Sequence, residues 1–148
     1  MSEETLKSNI LELLEETFMQ TRGIYLDRAK GGLLESLENI SAATASVESG
    51  QQRSIAAHVE HTRVYLVALH GYMNGATGKT DWDASWQTHT VSELEWKALR
   101  DNLKAAYEAL VKDLLELDEN DIKFAESLAI LTHSAYHFGA IRQLLLIA

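Results

Sequence analysis

Apolar residues recur at helical spacing along most of this chain. Leu6, Ile10, Leu13, Leu14 and Thr17 share one face of a segment running from Ser2 to about Gln20, with Glu12, Glu15 and Glu16 on an opposite, solvated face. Gly23 marks the end of this helix, and Tyr25 to Lys30 forms a short connector. Leu33, Leu34, Leu37 and Ile40 predict a short second helical piece after Gly31 and Gly32. Thr44 to Gln52 is polar and reads as a loop. Arg53 to about Met73 is a long helix with Ile55, Val59, Leu66, Leu69 and Met73 on one face, stopped by Asn74 and Gly75.

Ala76 to Thr90 is the longest irregular stretch, and loops of this length in compact domains are often functional. It carries Trp82 and Trp86, which either wall a pocket or anchor the loop with two large apolar rings. Thr90 or Ser92 then caps a helix, with Glu93 or Glu95 completing a capping box. That helix runs to about Leu117 through Leu94, Leu99, Leu103, Leu110 and Leu114. Asp118 to Asp121 makes a turn, and a last helix continues from about Asp121 to the C-terminus. No run alternates as a strand would. Four long helices and one short piece predict an all-α chain, a four-helix bundle in one domain over residues 1–148. The absence of proline agrees with long uninterrupted helices.

Charge narrows the function. The net charge is −9, and Lys and Arg are scattered singly. That argues against nucleic-acid binding, where phosphate neutralisation dominates affinity, and against anionic membrane surfaces. The acidic, polar start does not resemble a signal peptide, and no apolar run approaches membrane-spanning length, so a soluble cytoplasmic protein is expected. With no cysteine, a metal site must be built from His, Asp or Glu.

Two motifs are excluded. Gly78-Lys79-Thr80 would end a phosphate loop, but the required first glycine falls on Met73 and no strand precedes it. The Glu-x-x-His motif of di-iron bundles does not occur.

The six histidines carry the candidate chemistry. His133 and His137 are i and i+4 on the last helix, about 40° apart around the axis, so both rings can reach one point. His58 and His61 are i and i+3 on the second long helix. Two imidazoles from the last helix and one from the second would give a three-nitrogen site with room for water or substrate. The same spacings also arise in core histidines or on a wet helix face. Taking Ile55, Val59, Leu66 and Met73 as the core centre, periodicity favours His58 over the flanking His61 as the third ligand. Tyr65 could donate to a metal-bound group or be a buried tyrosine. Arg142 could bind an anion or pair with a neighbouring Glu, and His70 and His89 read as surface residues.

Ser54 to Arg63, Ser-Ile-Ala-Ala-His-Val-Glu-His-Thr-Arg, resembles the second-helix motif of the DinB-like family. The stretch from His133 to Ile141, with His137 and Gly139, resembles that family's last-helix motif, and Asp81-Trp82 with Ser85-Trp86 looks like a subgroup feature. The resemblance spans nearly the whole chain. It implies a four-helix bundle, often a homodimer, with one divalent ion (Zn, Ni, Mn or Fe) on His61, His133 and His137, leaving His58 as a supporting or alternate ligand. It further implies a metal-dependent thiol S-transferase or hydrolase acting on a small molecule, with a low-molecular-weight thiol as partner. A stress-related binding or interaction dimer is the alternative.

Overall fold

The computed structural model of the chain describes residues 5–28 and 31–148. The expected first residues of the opening helix, 2–4, and the end of the connector, 29–30, lie outside the described residues. The described residues are all-α, with six α-helices and no strand. The helices are α1 (Leu6–Phe18), α2 (Leu33–Glu38), α3 (Ala42–Ala45), α4 (Ile55–Met73), α5 (Glu93–Glu116) and α6 (Phe124–Ile147), with a 3-10 turn at Ala84–Trp86.

The four longer helices pack around one apolar core. Helix α4 lies against α5 and α6, and α1 lies against the same two. Ile10, Leu14 and Phe18 of α1 meet Leu66 of α4, Leu103 and Leu110 of α5, and Phe138 and Ile141 of α6 in that core. On α6 the buried positions Phe124, Ser127, Leu131, Ser134, Phe138 and Ile141 step by three and four, forming a seam. Ile130 and His137 are buried beside that seam, which widens the covered face on the side that carries the histidines. Among the described residues, no helix is long and apolar enough to cross a membrane.

Local chemistry sets the helix ends. The side chain of Ser54 accepts from the amide of Ala57 and caps α4, while its hydroxyl donates to the carbonyl of His89 at 2.7 Å. This ties the start of α4 to the segment before α5. At α5 the cap is Ser92, which forms a full capping box with Glu95. The alternative, Thr90 with Glu93, is not formed, and Glu93 instead accepts from the amide of Ala42 at 2.8 Å. At the other end of α5, the Lys7 ammonium donates to the carbonyls of Leu115 and Leu117 at 2.7 and 2.8 Å, meeting acceptors that the helix leaves open.

Three local expectations change. The short second piece ends at Glu38, and a further helical turn, Ala42–Ala45, runs into the first two residues of the Thr44–Gln52 stretch that reads as a loop. Its capping residue is Ser41, and Trp96 holds the approach by donating to the carbonyl of Ile40 at 2.7 Å. The last helix begins at Phe124 rather than Asp121.

Glu16 is the third change. It is fully buried, not on a solvated face. Its carboxylate accepts from the backbone amides of Arg22, Gly23, Ile24 and Tyr25 at 2.8–3.1 Å. The chain turns around this one anion after α1, with Gly23 at φ +81°, a left-handed conformation that glycine adopts without strain. Burial opposes the charge, yet the amides of Tyr25, Arg22, Ile24 and Gly23 together hold this carboxyl below its ordinary value.

Candidate metal centre

Helices α4 and α6 bring the two histidine pairs face to face. Nε2 of His133 lies 3.1 Å from Nε2 of His61 and 3.2 Å from Nε2 of His137. One ligand nitrogen from each of these three residues falls within 4.8 Å of the other two. Two imidazole nitrogens on one tetrahedral zinc sit about 3.3 Å apart, given Zn–N bonds of about 2.0–2.1 Å. The two short separations match that spacing, so the group could hold a metal ion.

The hydrogen bonds behind the rings supply the test of fit. Ser85 donates its only hydroxyl proton to the carbonyl of Trp82 at 2.5 Å. Its oxygen can therefore only accept from Nδ1 of His61, 2.7 Å away. That leaves the Nε2 lone pair of His61 aimed at the other two rings. On the far side, Nδ1 of His137 is 3.0 Å from Nδ1 of His58. When His137 donates there, its Nε2 lone pair also faces inward. Nitrogen lone pairs converging at about 3 Å repel each other unless a proton or a cation lies between them, which is the chemistry of a metal site.

His58 thus stands behind His137. The contact between them runs through the Nδ1 atoms, on the side of His137 away from the Nε2 convergence. Periodicity favoured His58 as ligand because it lies near the apolar centre of α4. The structure buries His61 more deeply, at 9% exposure, because Trp86 covers that flank.

Burial dominates the titration of the cluster. It pushes His137 down to about 3, with the neighbouring His133, His58 and His61 adding to the effect. His133 falls to about 4, by burial and then His61, and His58 to about 4, by burial, His61 and Arg53. His61 is lowered by burial and Arg53. At neutral pH all four rings are uncharged, and their lone pairs are free to bind a cation without first losing a proton.

Aromatic rings wall the site. Trp86 stacks on His61 with centroids 3.9 Å apart and meets His58 edge-on at 5.4 Å. Tyr65 stacks on His133 at 3.7 Å and is itself 5.4 Å from Trp82. Among the described residues Nδ1 of His133 is buried without a hydrogen-bond partner, and stacking holds that side of the ring. The Trp82–Trp86 segment thus forms a wall of the site and supplies Ser85, which the sequence marked only as part of the Ser85-Trp86 pair and gave no role at the site. The i+3 step from Trp82 to Ser85 within a turn was the signal available for it.

The remaining candidates fall elsewhere. Arg142 donates to the carbonyl of Gly31 at 3.2 Å and lies over the ring of Phe138, and among the described residues it forms no ion pair with a Glu. His70 is partly buried and bonded to Asp113 at 2.6 Å, rather than free on the surface. His89 is exposed and bonded to Glu48 at 2.8 Å.

A cavity of about 600 Å³ opens beside the centre. His58, His137 and Trp86 line its inner side, and Arg53, Gln52 and Tyr136 are among the residues at its rim. No protein-family model, no curated protein and no solved structure matches this chain.

Proposed function

We propose that this chain is a DinB-like four-helix-bundle protein that holds one divalent ion on His61, His133 and His137. In this reading it is a metal-dependent enzyme acting on a small molecule by S-transfer or hydrolysis. The observation that carries the reading is the convergence of three Nε2 atoms, with the Ser85 hydrogen bond turning the His61 lone pair inward. An ion bound there supplies Lewis acidity that withdraws charge from a thiol or water.

The protein's own residues have three tasks. Ser85 and His58 hold the tautomers of His61 and His137, and Tyr65 and Trp86 hold the ring planes and limit water. The cavity beside His137 and Trp86 admits the substrate. Three neutral ligands leave the charge of the ion uncompensated, which favours an anionic reacting group such as a thiolate. A closed structural site with His58 as fourth ligand fits less well, because the nitrogen of His58 that contacts the site meets Nδ1 of His137.

Elemental mass spectrometry of protein purified without an affinity tag tests the reading. Near-stoichiometric divalent metal is expected in the wild type, lost in His61→Ala and His137→Ala and retained in His58→Ala. Thiol-transfer assays on the metal-loaded protein follow. A wild type that takes up no metal, even after reconstitution with several divalent ions, overturns it.

A further inference from the structure

The cavity beside the histidines has a polarity that the histidines do not explain. The chain as a whole carries a net charge of −9, yet among the described residues no Asp or Glu lines this cavity. Among the described residues its one Lys or Arg side chain is Arg53, immediately before the cap of α4. The guanidinium lies 4.2 Å over the ring of Trp86, which fixes its position while leaving its edge donors free. Arg53 is exposed and forms no ion pair among the described residues. In a chain with 22 acidic residues, an arginine held over a tryptophan without a carboxylate partner leaves its fork for something else.

The walls around it divide by chemistry. Gln51, Gln52 and Gln143 place amides at the mouth, while Ala140, Leu144 and Ile147 give α6 an apolar side. A smaller cavity of about 390 Å³ shares Gln52, Leu144 and Ile147 and extends that apolar side. Its carboxylate, Glu48, is already held by His89. The larger volume lies in the range of pockets for small organic ligands.

From this arrangement we infer that the cavity is the substrate subsite of the centre, and that it takes an anionic, partly apolar small molecule. The acid group sits on the Arg53 fork and the apolar part lies along Ala140, Leu144 and Ile147. This deepens the metalloenzyme reading and rests on it for the word substrate. The binding itself can be tested without metal.

The probe is hexanoate, compared with 1-hexanol and hexylammonium, titrated into metal-free and zinc-loaded full-length protein. The readout is the indole N–H resonance of Trp86, assigned with Trp86→Phe. Hexanoate is expected to shift this resonance in both forms and to bind at least about 10-fold more tightly than either control, as charge-assisted hydrogen bonds allow. Arg53→Gln should remove that preference, with metal content unchanged, and Arg53→Lys should restore part of it.

Equal binding of the three probes, or no shift with any of them, overturns the subsite. So does hexanoate binding that requires zinc and survives Arg53→Gln, because the acid group then sits on the metal. If the wild type takes up no zinc, the metalloenzyme reading fails, and the metal-free titration still decides the anion site.

Discussion

Ser85 Oγ stands 2.7 Å from Nδ1 of His61 and passes its own proton to the carbonyl of Trp82. One hydroxyl in a 3-10 turn thereby sets the tautomer of a ring on a helix 24 positions earlier in the chain. Ser85→Ala should leave the helical circular dichroism unchanged and weaken metal affinity about 10-fold or more, the usual cost of removing a partner behind a metal-bound imidazole. Competition with a chromophoric chelator measures it. Affinity equal to the wild type would remove Ser85 from the site.

If His137 donates from Nδ1 to His58 Nδ1, His58 has the same role toward His137, and two substitutions separate acceptor from bulk. Asn at this position can present an oxygen near the place of Nδ1, whereas Leu presents none. His58→Leu leaves the His137 N–H buried and unpaired, a cost of about 1–3 kcal/mol. Its metal affinity should fall about 10-fold or more while the ion is still retained on purification, as in His58→Ala. His58→Asn should keep most of it. Complete loss of metal in both variants would make His58 a ligand instead.

Acid should destabilise the metal-free protein early. Burial lowers His137 to about 3 and His133 and His58 to about 4, against an ordinary value of 6.5. Between these values the unfolded chain binds more protons than the folded one, so stability is complete above about pH 6.5 and falls as the pH drops. Thermal melts between about pH 7 and 5 should show a declining Tm, with a shallower slope in His137→Asn. A flat Tm across that window contradicts the burial argument.

Glu16 acts in a lower window. Its folded carboxyl lies below the ordinary value of 4.5, so its contribution is present above that value and is lost as the pH falls through the folded one. Glu16→Gln replaces one acceptor oxygen by a donor among four converging amides. It should cost roughly 2 kcal/mol or more in urea unfolding at neutral pH. The variant should also lose part of the acid sensitivity below about pH 4.5. Stability equal to the wild type would mean the turn after α1 does not depend on this anion.

The helical skeleton was legible because it is local. A Ser followed three residues later by Glu caps α5 whatever surrounds it, and the i,i+4 spacing of His133 and His137 points both rings one way on any helix. The sequence alone left Thr90 and Ser92 both open as caps, and the structure starts the helix at Glu93, whose carboxylate accepts from the amide of Ala42. Glu16 reads as solvent-facing by periodicity. The chain after α1 folds back over it, and the direction of that fold is not written in the helix pattern.

The sequence by itself determined an all-α chain, the approximate ends of its long helices and the two histidine pairs as the place to look. Each of these depends on residues a few positions apart. Tertiary structure decided that His61 rather than His58 joins His133 and His137, that Ser85 orients it, and that Arg53 lies over Trp86 beside an acid-free cavity. His61 and His133 are 72 positions apart, and a helix period defines a face without saying which neighbour covers it. The motif resemblance pointed to His61 where periodicity pointed to His58, and the packing of α4 against α6, with the tryptophan segment closing the flank, is what brings the His61 ring to the other two.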